Sequence, residues 1–244
     1  RDMLERARTI AAAVEAPLIA DADTGYGGLL NVRHTVQGYE SAGVAAIQLE
    51  DQEFPKKCGH TPGRRVIAME EMVKKIGVAV EARRSDDFLI IARTDSRSSL
   101  GLDEAVRRGR AYADAGADVI FIESPESREE FERIGQEVDA PLLANMVESG
   151  LSPVLGADVL KACGFTVAIY PGTAFCAAAA AMRDAYRHMK RAGTSDGLDV
   201  PLYDIEDMHR LMGFEEVWDF DRRWAGGDVA NRTRAGISRP ETDK

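Results

Sequence analysis

The sequence repeats one unit along most of its length: an amphipathic helix, then a short apolar strand that ends in polar residues. The predicted strands are Leu18–Asp23, Ala45–Glu50, Phe88–Thr94, Val119–Glu123, Leu142–Asn145 and Thr166–Tyr170. The predicted helices are Arg1–Val14, Arg33–Ala42, Met69–Arg83, Leu102–Ala115, Ser127–Val138, Val154–Cys163, Ala174–Ala192 and Ile205–Trp224. Continuous apolar strands alternating with helices are typical of a parallel sheet covered by helices, so the predicted fold class is α/β.

Polar residues follow almost every predicted strand. In a parallel α/β fold these strand ends converge on one face, where ligands bind. Polar ends after nearly all strands favour a closed ring over a doubly wound sheet, which collects them at one switch point. We therefore predict a (β/α)8 TIM barrel over residues 1–224, with its first two strands missing from the chain, and a polar tail at 225–244.

Composition and charge exclude several kinds of protein and partner. The 244 residues are 45% hydrophobic and 30% charged, which is ordinary for a globular domain. A net charge of −10 argues against nucleic acid or an anionic membrane as the main partner, and no apolar run is long enough to span a bilayer. Three cysteines at scattered spacings do not suggest a disulfide framework, so we expect a cytoplasmic location.

Three carboxylates are candidate metal ligands. Asp21 and Asp23 stand two residues apart at the end of the first predicted strand, so both point to the same side. Glu50 ends the neighbouring strand. Hard oxygen ligands without a nearby His or Cys cluster favour Mg²⁺, or Mn²⁺, over zinc. The alternative is that the Asp-x-Asp pair only caps a helix and is solvated at the surface.

The longest irregular segment, residues 51–65, follows the second predicted strand and is a candidate mobile active-site loop. It contains Lys56, Lys57, Cys58 and His60. Two lysines and a histidine would lower the pKa of a cysteine thiol and make it a usable proton donor or nucleophile. The alternative is a basic exposed loop that carries an incidental thiol.

Further polar side chains are expected to point into the mouth of the barrel. A guanidinium at the position of Arg93 can hold a carboxylate or stabilise an enolate oxygen. Glu123 can orient Arg93 or accept a proton, and Asn145 faces the same mouth. The alternative for Arg93, Asp95 and Glu123 is an internal ion-pair layer, a role that is compatible with catalysis.

Five segments together resemble a known family, and they occur in its order across about residues 18–175. They are Asp21-Ala22-Asp23-Thr24-Gly25-Tyr26-Gly27, Leu49-Glu50-Asp51-Gln52, Lys57-Cys58-Gly59-His60, Ala92-Arg93-Thr94-Asp95 and Leu143-Ala144-Asn145-Met146. With them the sequence resembles the isocitrate lyase/phosphoenolpyruvate mutase superfamily. The Lys-Cys-Gly-His segment after Glu-Asp-Gln is the most specific of the five.

The resemblance implies a Mg²⁺-dependent barrel, a small anionic organic acid as substrate, and a homotetramer built as a dimer of dimers. Each pair would exchange the final helix, here residues 205–224. The implied site residues fall into three groups. They are Asp21, Asp23 and Glu50 for the metal; Cys58 as general acid, Arg93 for the oxyanion and Glu123 as its acidic partner; and Lys57, Gly59, His60 and Asn145 for the substrate.

The resemblance further implies a lyase that breaks a C–C bond of a 2-hydroxy acid and leaves an α-keto acid such as pyruvate. Methylisocitrate lyases tend to carry a threonine at the position of Val147 and an arginine shortly after Tyr-Pro, where this sequence reads Tyr170-Pro171-Gly172-Thr173-Ala174-Phe175-Cys176. Its Asn145-Met146-Val147-Glu148 segment is similar to carboxyphosphonoenolpyruvate phosphonomutase. The alternatives are therefore a phosphonomutase-type isomerase, a dialkylmalate lyase, an oxaloacetate-cleaving enzyme, or a barrel retained for binding or assembly.

Overall fold

The computed structural model describes residues 1–59 and 61–224. The predicted substrate contact His60 and the predicted tail at 225–244 lie outside these residues. The chain divides into two compact units, one from Arg1 to Ala177 and a second that begins at Ala178. All strands belong to the first unit.

The strands form one sheet in which every pairing is parallel, as the sequence predicts. They are β1 (Ile19–Asp21), β2 (Ala46–Glu50), β3 (Leu89–Thr94), β4 (Val119–Ile122), β5 (Leu142–Asn145) and β6 (Val167–Ile169). Their spatial order is their chain order. A doubly wound sheet reverses its order at a switch point, so sequential order is that of a TIM-like barrel, here over six of the usual eight strands.

Helices alternate with the strands in the first unit, and the second unit is helical in its described residues. They are α1 (Asp2–Ala13), α2 (Leu29–Ser41), α3 (Met69–Ala82), α4 (Arg97–Leu100), α5 (Leu102–Asp114), α6 (Arg128–Glu137), α7 (Ala157–Ala162), α8 (Thr173–Ala192), α9 (Ile205–Leu211) and α10 (Phe214–Trp224). None of the described helices is long and apolar enough to cross a membrane.

The two faces of the sheet have separate apolar clusters. Ile47 and Leu49 pack with the helices in the larger cluster. The strand residues that alternate with these point to the other face, which is the inside of a barrel. Among them, Ala46, Ile91 and Phe121 belong to a smaller apolar cluster. Side chains two residues apart on a strand lie on the same face. Polar residues at the strand ends that stand two or four residues after these apolar residues therefore also face the inside.

Several element boundaries differ from the sequence prediction. The helix predicted over Ile205–Trp224 is two helices, because Gly213 adopts a φ of +76° that ends α9 before α10 begins. The helix α4 was not expected. The segment before α7 that contains Val154 is not helical, so α7 begins at Ala157.

The predicted loop has a structured neck. Gln52 and Val66 form an antiparallel bridge between its two ends. The amide of Glu53 donates to the carbonyl of Arg65 at 2.9 Å, and the amide of Ile67 donates to the carbonyl of Asp51 at 2.9 Å. Residues 54–59 and 61–64 therefore follow a hydrogen-bonded base at the carboxyl end of β2.

Candidate active site

The three predicted metal ligands lie around a single cation. The Lys56 ammonium nitrogen is 2.5 Å from Asp23 Oδ1, 3.6 Å from Glu50 Oε1 and 3.8 Å from Asp21 Oδ2. These contacts raise the pKa of Lys56 against the opposing effect of its burial. The structure thus brings Asp21, Asp23 and Glu50 together, as predicted, and adds Lys56 to them.

Local backbone geometry places the two aspartates. Asp21 ends β1, and its Oδ1 accepts a hydrogen bond from the amide of Asp23 at 2.8 Å. Asp23 has a φ of +47°, a conformation that few residues other than Gly, Asn and Asp adopt. The Tyr39 hydroxyl donates to the carbonyl of Asp21 at 3.2 Å and fixes the turn from the side of α2.

Glu50 is fully buried, and neither of its carboxylate oxygens accepts a hydrogen bond from the described residues. Burial raises its pKa to about 7, although Arg93 and Lys56 act in the opposite direction. A buried carboxylate without donors is costly unless a cation compensates it. Glu50 is therefore suited to bind a further cation in addition to the Lys56 ammonium.

The donor set fits a hard divalent cation held through water. Within residues 1–59 and 61–224, no three His, Cys, Asp or Glu side chains are arranged to hold a metal ion directly. The cluster is nevertheless all-oxygen, faces one point occupied by a cationic group, and includes the two buried oxygens of Glu50. Mg²⁺ commonly keeps several waters and takes few direct protein ligands, so such a cluster suits it.

Arg93 lies next to this cluster because β3 pairs with β2 in a register that sets Arg93 opposite Glu50. Its guanidinium forms two hydrogen bonds with Asp95, from Nε to Oδ2 at 3.0 Å and from Nη2 to Oδ1 at 2.9 Å. It also stands over the ring of Phe121, 5.0 Å from the centroid. Burial alone lowers the pKa of Arg93, but Asp95, Glu123 and Glu50 outweigh it and raise the pKa.

Glu123 and Asn145 complete the line of polar strand ends. Glu123 Oε2 lies 3.4 Å from Arg93 Nη2 and accepts a hydrogen bond from Asn145 Nδ2 at 3.1 Å. Its Oε1 accepts one from the Ser124 hydroxyl at 3.1 Å. The buried Asn145 Oδ1 accepts no hydrogen bond from the described residues, which leaves an acceptor for a ligand hydroxyl.

The tip of the loop rests on this line through Gly59. A Cβ at Gly59 would lie 2.4 Å from Arg93 Nη2 and 3.2 Å from Glu123 Cδ, so a larger residue would require Arg93 or the loop tip to shift. The Gly59 carbonyl accepts a hydrogen bond from Ser124 Oγ at 3.4 Å. Cys58 beside it is exposed, and its carbonyl accepts hydrogen bonds from the amide and hydroxyl of Thr61 at 3.0 and 2.7 Å.

The two lysines that the sequence sets beside Cys58 bind other groups. Lys56 lies among the carboxylates, and the Lys57 ammonium donates to the carbonyl of Gly63 at 3.1 Å. The backbone of Lys57 is held by Gln52, whose side chain makes two hydrogen bonds to it, each 3.0 Å long. Lys57 is therefore placed within the loop rather than on the line of strand ends.

A buried network behind the site was missed by sequence reasoning. Asp51 Oδ2 accepts hydrogen bonds from Thr94 Oγ1 at 2.7 Å, Arg108 Nη1 at 2.8 Å and Tyr112 OH at 2.7 Å. Asp51 Oδ1 accepts from the amide of Asp95 at 2.9 Å. The sequence shows a polar residue directly after Glu50, but adjacent residues of a strand point to opposite faces, so Asp51 points away from the mouth of the barrel. Its partners come from segments that are distant in the sequence.

The first 190 residues match the sequence model of a family described as phosphoenolpyruvate phosphomutase. The 2,3-dimethylmalate lyase of Eubacterium barkeri is 47% identical over 226 residues, which cover 93% of this chain and 78% of that protein. The 2-methylisocitrate lyase of Aeropyrum pernix is 45% identical over 210 residues, covering 86% of this chain and 67% of that protein.

Solved structures of similar fold point to the same group. A crystal structure of 2,3-dimethylmalate lyase, described as a PEP mutase/isocitrate lyase superfamily member, has a TM-score of 0.82 at 40% identity, covering 98% of this chain and 78% of that one. Oxaloacetate acetylhydrolase with 3,3-difluorooxalacetate has a TM-score of 0.83 at 36% identity, covering 92% and 77%. Phosphonopyruvate hydrolase with oxalate and Mg²⁺ has a TM-score of 0.76 at 34% identity, covering 91% and 77%.

Proposed function

The chain belongs to the isocitrate lyase/phosphoenolpyruvate mutase superfamily, and from this premise we propose that it is a Mg²⁺-dependent lyase that cleaves a C–C bond of a 2-hydroxy acid. The product is an α-keto acid such as pyruvate. The observation that carries the proposal is the meeting of three carboxylates, the Arg93 guanidinium and the Cys58-Gly59 loop tip at one end of the sheet.

Asp21, Asp23 and Glu50 are the residues proposed to hold the metal, chiefly through water. Glu50 supports this assignment because its two buried oxygens accept no hydrogen bond from the described residues. When bound, Mg²⁺ supplies Lewis-acid stabilisation of negative charge on the keto-acid half of the substrate. Mn²⁺ is the alternative ion, since it takes similar oxygen ligands.

The protein side chains are proposed to transfer protons and to stabilise the negative charge that develops during bond cleavage. As the C2–C3 bond breaks, its electron pair moves onto the departing carbon, which its own carboxylate stabilises by resonance. The Cys58 thiol gives its proton to that carbon, while the C2 hydroxyl gives its proton to the Glu123 carboxylate and becomes the carbonyl. Arg93 stabilises the negative oxygen that develops, and Glu123 with Asn145 holds Arg93 and the substrate carboxylate in place.

The proposed substrate is a malate that carries alkyl substituents rather than a third carboxylate. The chain lacks an arginine within the five residues after Tyr170-Pro171 and has Glu148, whose Oε1 accepts a hydrogen bond from Thr173 at 2.5 Å. An acidic group near that strand end disfavours a further carboxylate. The 47% identical relative named 2,3-dimethylmalate lyase supports this choice.

The test is keto-acid release from a panel of substituted malates, methylisocitrate and oxaloacetate, with Mg²⁺ present. We expect turnover of dialkylmalates, and no turnover of any member would refute the lyase. Cys58→Ser should lower kcat by about 10²- to 10⁴-fold, the usual contribution of a general acid, while oxalate still binds. Loss of oxalate binding in Cys58→Ser would instead assign the thiol to binding.

A phosphonomutase is the second candidate. Two observations favour it: the family model is described as phosphoenolpyruvate phosphomutase, and the Asn145-Met146-Val147-Glu148 segment is similar to a phosphonomutase. Phosphorus NMR of phosphonopyruvate incubated with the enzyme separates the two, because a mutase converts the C–P resonance into that of a phosphate ester and a lyase leaves the spectrum unchanged.

We further propose that residues 51–65 open to admit substrate and that the enzyme is a homotetramer located in the cytoplasm. Exchange of the helical segment 205–224 between subunits is part of this proposal. Its support is the superfamily resemblance together with the apolar residues of α10, of which Val217, Trp218 and Phe220 are 53%, 41% and 56% exposed.

A further inference from the structure

Two successive arginines at the base of the loop have opposite environments. Arg65 is exposed and forms a surface ion pair with Glu53 at 2.7 Å. Arg64 is buried, with only 5% of the residue exposed. Since desolvating a guanidinium is costly, its burial requires specific partners. Those partners show what Arg64 does.

Arg64 reaches from the loop to the polar end of β3. Its Nη1 donates to Asp95 Oδ1 at 2.7 Å, and its Nη2 donates to Ser98 Oγ at 2.6 Å. The same Asp95 oxygen accepts from Arg93 Nη2 at 2.9 Å, while Asp95 Oδ2 accepts from Arg93 Nε at 3.0 Å. One fully buried carboxylate is therefore shared by the loop arginine and the active-site arginine.

The shared carboxylate links two features of the site. Gly59 approaches Arg93 so closely that a Cβ on it would lie 2.4 Å from Arg93 Nη2. Asp95 holds that side of the guanidinium by accepting hydrogen bonds from Arg93 Nε and Nη2. If Arg64 withdraws, Asp95 keeps one cation instead of two, so its full charge acts on Arg93. The loop base also loses the hydrogen bonds by which Arg64 holds it to Asp95 after β3 and to Ser98 in α4.

We propose that Arg64 is a positioning residue that, through Asp95, couples the closed placement of residues 51–65 to the orientation and charge of Arg93. It touches no reacting atom. Its effect on chemistry is indirect and rests on the proposed lyase function, whereas its effect on the loop does not. The expected consequence of losing it is slower bond cleavage together with a loop that opens more often.

The test compares Arg64→Met, Arg64→Lys and the exposed control Arg65→Met. Oxalate titration in the presence of Mg²⁺ gives the concentration of sites that can bind a ligand. Dividing the rate by this concentration gives a kcat that does not fall merely because part of a variant is unfolded. Arg64→Met should lower this kcat by about 3- to 30-fold with little change in KM, the usual range for coupling through a neighbour. Arg64→Lys should recover part of the loss, because an ammonium can still pair with Asp95.

Hydrogen exchange of the peptide that covers residues 51–65 is the second readout. It should become faster in Arg64→Met and remain at the wild-type rate in Arg65→Met. The proposal is overturned if all variants exchange at the same rate. It is also overturned if kcat per site falls no further in Arg64→Met than in Arg65→Met. A wild-type enzyme without keto-acid release would refute the lyase function alone, since the exchange comparison still tests the link between Arg64 and the loop.

Discussion

Gly59 is the residue at which the loop and the strand ends come closest. The space for a Cβ is filled by the Arg93 guanidinium, so a larger side chain must displace either the loop or Arg93. Displacements of about 1 Å in an active site can cost on the order of 100-fold in rate. The arrangement of the candidate site therefore depends on the absence of a side chain at Gly59 as well as on the charged groups around it.

We predict that Gly59→Ala lowers kcat by on the order of 100-fold, because Arg93 or the loop tip must move. The measurement is keto-acid release under saturating substrate. The control is Gly77→Ala in α3, where a Cβ meets no atom within 4 Å. Activity of Gly59→Ala equal to that of the control would show that the loop does not close on Arg93.

Lys56 occupies the place among the carboxylates that a divalent cation would need. We predict that Lys56→Met strengthens Mg²⁺ or Mn²⁺ binding by about 5-fold, since removing the ammonium ends its competition and leaves the carboxylates less compensated. Titration calorimetry with Mn²⁺ measures this. Lys57→Met, whose ammonium binds the Gly63 carbonyl, should leave the affinity unchanged. Weaker binding in Lys56→Met would mean that Lys56 helps to build the metal site.

At the scale of elements, the helices are set against one another by small residues. Gly135 in α6 faces the end of α7, where a Cβ would lie 1.7 Å from the carbonyl oxygen of Cys163. Nearby, Phe131 and Phe165 pack with ring centroids 5.2 Å apart. The contact between backbone and backbone leaves no flexible side chain that could yield.

We predict that Gly135→Ala destabilises the fold by about 3 kcal/mol, because α6 and α7 must separate to accept the methyl group. Chemical denaturation monitored by circular dichroism gives the free energy of unfolding. The helical control Gly77→Ala should be neutral or stabilising by up to about 1 kcal/mol, since alanine is the better helix former. A similar free energy for both variants would contradict the close approach of the two helices.

For the protein as a whole, the exposed apolar face of α10 bears on its oligomeric state. The described α10 carries exposed apolar side chains, and an exposed apolar face of this kind marks an interaction surface. We predict a particle of about four times the 26.6 kDa chain mass by light scattering. Phe220→Glu should shift it to smaller species, and the neighbouring change Asp221→Asn should not. A monomeric wild-type chain would contradict the tetramer.

The fold could be predicted in outline because its determinants are local. The alternation of apolar strands with helices predicted the parallel sheet, and the structure confirms its six strands. The helix over 205–224 was predicted without its break, since helical periodicity continues through Gly213 and only the positive φ reveals the end of α9. His60 lies outside the described residues, so its predicted contact with substrate stays a prediction.

The candidate site was predictable to the level of residue and face. Strand parity aims Glu50, Arg93 and Glu123 at the same side of the sheet, and their polar character at strand ends marks the ligand face. Which side chains pair could not be predicted in the same way. The pairing of Arg93 depends on the register between β2 and β3 and on Asp95, two residues further along.

The alternating architecture, the parallel sheet and the set of polar strand ends follow from the sequence alone, because periodicity and residue type are properties of short segments. Three pairings follow only from packing: Lys56 joins the carboxylates, Lys57 turns to Gly63, and Arg64 shares Asp95 with Arg93. A buried charge takes the partner that packing brings within hydrogen-bond distance, whatever its separation along the chain.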